Sequence, residues 1–151
     1  MTEIEKNKII AELAEALQFN DYEKFTSYFE ENAVFEIPFG ISESANIKGL
    51  SEIKKHFEQV ASDPMVKLIH IEEIMVKSYA SDPFVIVEYF TKGRSANSNG
   101  AFHIQSSIAL IRFGETGIVY YKDIPNTIGL ANKAGVLDQL AASWKLEKNE
   151  D

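Results

Sequence analysis

The hydrophobic pattern of this chain changes period near Val66, and no other feature limits its possible folds as much. Upstream, apolar residues recur at helical spacing: Ile9, Ile10, Leu13, Ala14 and Leu17, then Tyr22, Phe25, Tyr28 and Phe29, then Ile53, Phe57 and Val60. The spacing predicts one helix before Asn20, a second capped by Asn20-Asp21, and a third over Leu50 to Ala61. A short strand, Ala33 to Pro38, and a Gly/Ser-containing loop lie between the last two. Downstream the chain reads as strands: VKLIHIEEIMVKSY, PFVIVEYFTKG, AFHIQSSIALIRF and GIVYYKDIP. Ser-Asp-Pro, GRSANSNG and Gly-Glu-Thr-Gly separate them, so an antiparallel meander is expected. From Asn126, residues Leu130, Ala134, Leu137 and Leu140 return to helical spacing, weakened by Gly129 and Gly135, before the polar, fraying LEKNED.

Helices first and a sheet afterwards make an α+β domain in which a curved antiparallel sheet wraps the N-terminal helices. At 151 residues and 45% hydrophobic content the chain supports one core: a single domain over residues 1–145 with a polar tail at 146–151. A net charge of −8 opposes binding to nucleic acid or an anionic membrane surface, which leaves small molecules or proteins as partners. The absence of cysteine removes disulfides and thiolate nucleophiles, and the three histidines lack metal-ligand spacing. No signal-peptide build and no membrane-length apolar run occurs, so a soluble cytoplasmic protein is expected. No phosphate-cradling loop, dinucleotide fingerprint or nucleophile elbow is present, and no cofactor is expected.

Asp123 is the informative carboxylate. With a turn centred on Glu115-Thr116, Phe113 pairs with Ile118, and counting outward sets Asp123 opposite Ile108, near Ser106 and on the face of Phe102 and Ile104. On that face a carboxylate is desolvated, its pKa rises, and it becomes suited to proton transfer near neutral pH. A one-residue slip would reverse the face. The alternatives are a core carboxylate bonded to Tyr22 or Tyr28, or a surface residue beside Lys122. Glu88, a charge inside the apolar PFVIVEYF, is a second catalytic candidate if it faces a pocket, and an edge or interface glutamate otherwise. His56 and Gln59 lie one turn apart beside the Ile53 and Val60 stripe, where they are either ligand contacts or a solvated pair. Phe39, Ser106 and Tyr121 complete the expected ligand-binding set, while His103, on the other face of its strand, reads as an interface residue. Glu36, opposite in phase to Phe35 and Ile37, reaches a pocket mouth at most.

Four stretches, AVFEIPFG, IKGLSEIKKHFE, SDPFVIVEYFTKG and VYYKDIPN, resemble the NTF2-like (cystatin-like) superfamily, and within it the SnoaL-like polyketide cyclases and the phenazine-biosynthesis proteins PhzA/PhzB. The resemblance runs from the first helix almost to the end. It matches Asp123 to a pocket-facing acid, Asn126 to the motif's Asn and Glu88 to a strand glutamate. It implies a cone-shaped α+β barrel, a homodimer packed through the outer sheet face, and a small-molecule pocket with acid/base chemistry and usually no cofactor. Departures are specific. Ile37, not Asp, precedes Pro38, against ketosteroid-type isomerisation; no Asp-Arg-Asp grouping surrounds Arg94 or Arg112, against epoxide opening. Gln59 falls nearest the phenazine proteins' helix histidine, with His56 one turn earlier, and Pro125 replaces an aromatic. The reading is a small-molecule protein using Asp123 for isomerisation, cyclisation or condensation. The alternatives are a non-catalytic ligand binder and a dimerisation scaffold.

Overall fold

The computed structural model describes residues 1–40, 44–98 and 100–149. Helix α1 (Glu3–Gln18) starts with a reciprocal cap: Glu5 N donates to Thr2 Oγ1 at 3.2 Å, and Thr2 N donates to Glu5 Oε2 at 2.6 Å. It buries Ile10, Leu13, Ala14 and Ala16. Asp21 caps α2 (Tyr22–Thr26) through Lys24 N at 3.0 Å. This helix is shorter than its aromatic spacing suggests. Thr26 Oγ1 and Ser27 Oγ donate back to the carbonyls of Tyr22 and Lys24 and close the last turn. Tyr28 therefore leaves the helix and Phe29 opens β1 (Phe29–Ile37).

The loop after β1 contains a strand that the sequence pattern does not announce, β2 (Ala45–Lys48), paired antiparallel with β1. Part of that loop, residues 41–43, lies outside the described residues. Gly49, at φ 91°, turns the chain into α3 (Leu50–Ser62), which buries Ile53 and Phe57. A 3-10 segment, Pro64–Leu68, leads into β3 (Ile69–Ser81), followed by β4 (Phe84–Ser95), β5 (Ala101–Phe113) and β6 (Ile118–Pro125). The expected C-terminal helix is two. Gly135, at φ 76°, ends α4 (Thr127–Ala134), and α5 (Leu137–Asn149) reaches into the segment expected to fray, whose last two residues, 150 and 151, lie outside the described residues.

The described strands form one sheet in the order β2-β1-β6-β5-β4-β3. The meander β3 to β6 is antiparallel as expected, but β1 adds parallel to β6, so the sheet is mixed. Parallel addition needs a long crossover, which the intervening helix and meander supply. Helices α1 to α3 cover one face, where Leu13, Phe25, Phe35, Ile53, Val87, Ala109, Ile111, Ile118 and Tyr121 form the core. At roughly 1.5–3 kcal/mol for each fully buried large side chain, this cluster is the main source of stability.

Two bulges set which side chains reach that face. One on β6 separates Phe113↔Ile118 from Arg112↔Tyr120 and absorbs Val119. The other on β5 separates Tyr89↔Ser107 from Phe90↔Gln105 and absorbs Ser106. The β5–β6 turn is fixed by Glu30, whose Oε1 accepts from Thr116 N, Thr116 Oγ1 and Gly117 N at 3.0–3.1 Å. Gly117 has no room for a side chain, since a Cβ would stand 2.6 Å from the Tyr28 carbonyl oxygen. Thus β1 holds the hairpin whose register directs Asp123.

Candidate functional site

A cavity of about 630 Å³ opens between the sheet and the helices, within the size range of small-molecule sites. Its aromatic wall is built by packing. The rings of Phe35 and Tyr121 stack at 5.0 Å, Phe57 meets Phe35 edge-on at 5.3 Å, and Tyr22 stacks on Phe57 at 5.6 Å. Leu17, Ile69, Ile71 and Ile74 add an aliphatic side.

The polar groups converge from β4, β5 and β6. Asp123 pairs with Ala109, not with Ile108, because Val119 is absorbed by the bulge. The bulge at Ser106 also reverses the phase of β5, so that Ala109 and Ile111, not Ile108 and Leu110, face the core. The two one-residue shifts cancel, and Asp123 lines the cavity. Burial pushes its carboxyl up to about 6, while a hydrogen bond from the Ser107 hydroxyl pulls in the opposite direction. Neither Tyr22 nor Tyr28 is its partner: the Tyr22 hydroxyl donates to Asn20 Oδ1 at 3.3 Å, and Tyr28 interacts with Glu12.

The Ser106 bulge lets consecutive serines reach one side of the sheet. Thr91 Oγ1 donates to Ser106 Oγ at 2.7 Å, and Ser106 Oγ donates to the Tyr89 carbonyl at 3.2 Å. Above them the Tyr121 hydroxyl donates to the Tyr89 hydroxyl at 3.1 Å, both phenols being buried. Burial raises both phenols far above the ordinary value, so they remain protonated at physiological pH. Tyr89 accepts from Tyr121 and still carries its own proton. That proton, the Asp123 carboxyl and the Ser106 and Ser107 hydroxyls are the cavity's polar equipment on the sheet side.

From α3, His56 lines the cavity beside Phe35 and Phe57, with ring centroids 5.9 and 5.1 Å away. Desolvation holds its imidazole below the ordinary 6.5, which favours the neutral ring. Phe39 stands at the mouth, 69% exposed. Gln59 does not join them. It is exposed on α3 and is not among the residues that line the cavity, which on this helix are His56, Phe57 and Val60.

Glu88 requires a correction. On β4, Val87, Tyr89 and Thr91 point inward, so Glu88 points outward by the two-residue alternation of a strand. There it accepts from Gln105 Nε2 at 2.8 Å and interacts with the Tyr79 hydroxyl. It cannot assist Asp123 directly. Sequence reasoning missed Tyr89, Thr91 and Ser107, although the first two were readable: placing the Glu88 charge outside puts its odd-numbered neighbours inside. Glu36 also lies off the cavity wall, accepting from the Tyr120 hydroxyl. Asn126 caps α4 through Gly129 N at 3.0 Å and donates to the Gln105 carbonyl at 3.0 Å. Among the described residues no three His, Asp or Glu side chains gather as a metal set, and no helix is long and apolar enough to cross a membrane.

No protein-family profile and no curated sequence matches the chain. Solved structures do. A protein from Bacillus subtilis named "Putative Isomerase" superposes with a TM-score of 0.71 at 25% identity, over 90% of this chain and 97% of that one. An NTF2-like protein from Burkholderia xenovorans superposes with a TM-score of 0.56 at 16% identity, over 89% and 98% of the two chains. The fold is NTF2-like. A Xanthomonas campestris protein named a "putative polyketide cyclase" shares this NTF2-like architecture with a TM-score of 0.59 at 12% identity, over 85% and 95%. The three superpositions cover at least 85% of this chain and at least 95% of each of the others, so the likeness extends over most of the domain.

Proposed function

We propose that this NTF2-like protein binds a small, largely apolar molecule and moves a proton on it with Asp123 as general base and then general acid. The observation that carries the reading is the Asp123 carboxyl, the one acidic group among the described residues lining an aromatic cavity, which burial there pushes up to about 6. The chemistry follows from the groups present. The Asp123 carboxylate takes a proton from carbon next to a carbonyl, the electron pair moves onto the carbonyl oxygen, and the Tyr89 hydroxyl donates a hydrogen bond to that oxygen. The resulting carboxylic acid returns the proton at another position, which makes an isomerisation, or the new carbanion closes a ring or adds to a second carbonyl. His56, held neutral, orients the ligand by hydrogen bonding. The names of the Bacillus and Xanthomonas proteins, "Putative Isomerase" and "putative polyketide cyclase", fit this reaction class. The SnoaL-like or PhzA/PhzB-like assignment, a homodimer through the outer sheet face and a cytoplasmic location belong to the same proposal. Met75 and Tyr79, exposed on β3, support the outer face as the contact.

A second reading rests on the charge census. Among the described residues lining the cavity Asp123 is the one carboxylate, and no Lys or Arg joins it. A non-catalytic binder would use such a carboxylate to anchor a donor on its ligand. Exchange of α-hydrogens for deuterium in a panel of apolar ketones, followed by NMR, separates the two. Catalysed exchange that drops about 10²- to 10⁴-fold in Asp123→Asn supports proton transfer. Ligand binding that needs Asp123 without any exchange supports the anchor.

A further inference from the structure

Phe39 lines two spaces. A second hollow of about 530 Å³ lies outside the first cavity, between the end of β6, α4 and α5. Phe39, Gly40, Pro125 and Thr127 line both spaces, so the two share a wall at the mouth. The outer hollow is lined by Ile128, Leu137, Leu140, Ala141 and Trp144 and holds no charged side chain among its lining residues. Ile128 is 69% exposed, Trp144 42% and Leu137 38%, so the hollow presents large apolar surfaces to solvent. Isolated exposed apolar residues are ordinary; several converging on one hollow mark a binding surface.

The floor beneath it is firmly built. Ala131, Ala134 and Val136 form a buried cluster with Leu68, Ile69 and Leu140, and Ser95 Oγ and Asn97 Nδ2 both donate to the Ala134 carbonyl. Helix α4 is thus tied to the β3–β4 end of the sheet, and α5 follows it after Gly135. Both spaces are mainly apolar, and among their lining residues the Asp123 carboxyl of the inner cavity is the one acidic group.

We propose that the ligand is an elongated amphiphile whose hydrogen-bond-donating head lies in the inner cavity at Asp123 while its hydrocarbon tail passes Phe39 and lies along Trp144. This deepens the second reading of the proposed function, in which the Asp123 carboxylate anchors a donor on the ligand. The four residues that line both spaces, Phe39, Gly40, Pro125 and Thr127, set the hollow beside the inner cavity and select the tail of that same ligand as the occupant. The outer hollow is a specificity site: it selects length and adds affinity, and it takes no part in proton transfer.

Trp144 is the only tryptophan in the chain and reports on the outer hollow directly. Straight-chain primary alkylamines, butyl to dodecyl and below their aggregation limits, would be titrated while Trp144 emission and heat of binding are followed. Affinity should rise about fourfold for each methylene that becomes buried. Trp144 emission should shift to the blue only with the longer members. Ala141→Phe, an exposed position that fills the hollow and keeps Trp144, should abolish the length dependence while leaving short-chain binding in place. Asp123→Asn should weaken short and long members alike.

The results separate the two layers of the argument. Length-independent binding that still needs Asp123, with Trp144 unmoved, overturns the tail site and leaves the head site standing. A length-dependent Trp144 response unaffected by Asp123→Asn sinks the inner-cavity reading and with it the amphiphile. Failure of every chain to bind overturns the proposal. So does a Trp144 blue shift that follows protein concentration without ligand, since a second copy then covers the hollow.

Discussion

The hydroxyls of Tyr89 and Tyr121 lie 3.1 Å apart in the buried core, one on β4 and the other on β6, bridging over β5. Tyr121 is the donor. Tyr89→Phe leaves that donor unpartnered, at a cost of roughly 1–3 kcal/mol, and Tyr121→Phe costs about 1 kcal/mol. The double Phe variant removes both polar groups and should lose less than the sum of the singles. Urea unfolding of the four proteins measures this. Strict additivity would mean that the hydroxyls do not interact.

Asp123 should make the protein less stable as pH rises. Its folded pKa, about 6, lies above the ordinary 3.8, so between these values the folded state binds more protons than the unfolded one. The carboxyl's favourable contribution is fully present below 3.8 and lost as pH passes 6, an effect of about 3 kcal/mol. Asp123→Asn should therefore unfold at higher denaturant concentration than the parent at pH 8 and show a flatter pH profile. A variant less stable at pH 8, with the parent's slope intact, would contradict the buried placement.

His56 should titrate in the opposite sense. Its imidazole is depressed by burial, so its contribution is present above 6.5 and lost as pH falls through the lowered folded value. Imidazole ¹H–¹⁵N NMR should give a midpoint below 6.5, and His56→Gln should remove the corresponding loss of stability in acid. A midpoint above 6.5 would instead indicate an imidazolium stabilised by a carboxylate.

Glu88→Gln should leave the cavity alone. Ligand affinity and the Asp123 midpoint should stay within about twofold and about 0.3 units, since the side chain is on the far face of β4. The change should appear at Tyr79, whose phenol Glu88 raises by hydrogen bonding and by its charge. Ultraviolet titration should show that phenol return toward 10. Lost ligand binding with Tyr79 unmoved would place Glu88 inside the site.

Local chemistry was enough for most of the elements. Helical spacing marks α1 and α3, two-residue alternation and turn residues mark β3 to β6, and Asp21 marks the cap of α2, because these signals act between residues a few positions apart. It was not enough for Phe29, whose aromatic spacing reads as helix but which pairs with Ile118 across the sheet. The four-residue β2 likewise exists only because β1 is there to pair with it. The site divides in the same way. The residue types of VYYKDIP point to Asp123 and Tyr121, yet the plain hairpin count sets Asp123 against Ile108. Only bulges at Val119 and Ser106, each a response to neighbouring strands, bring it across from Ala109 and beside Ser107. The phases of Glu88 and Gln59, one outside the sheet and the other on the exposed side of α3, were also settled by packing. Spacing along a chain fixes which residues share a face; which face becomes the inside is decided when distant elements close over it.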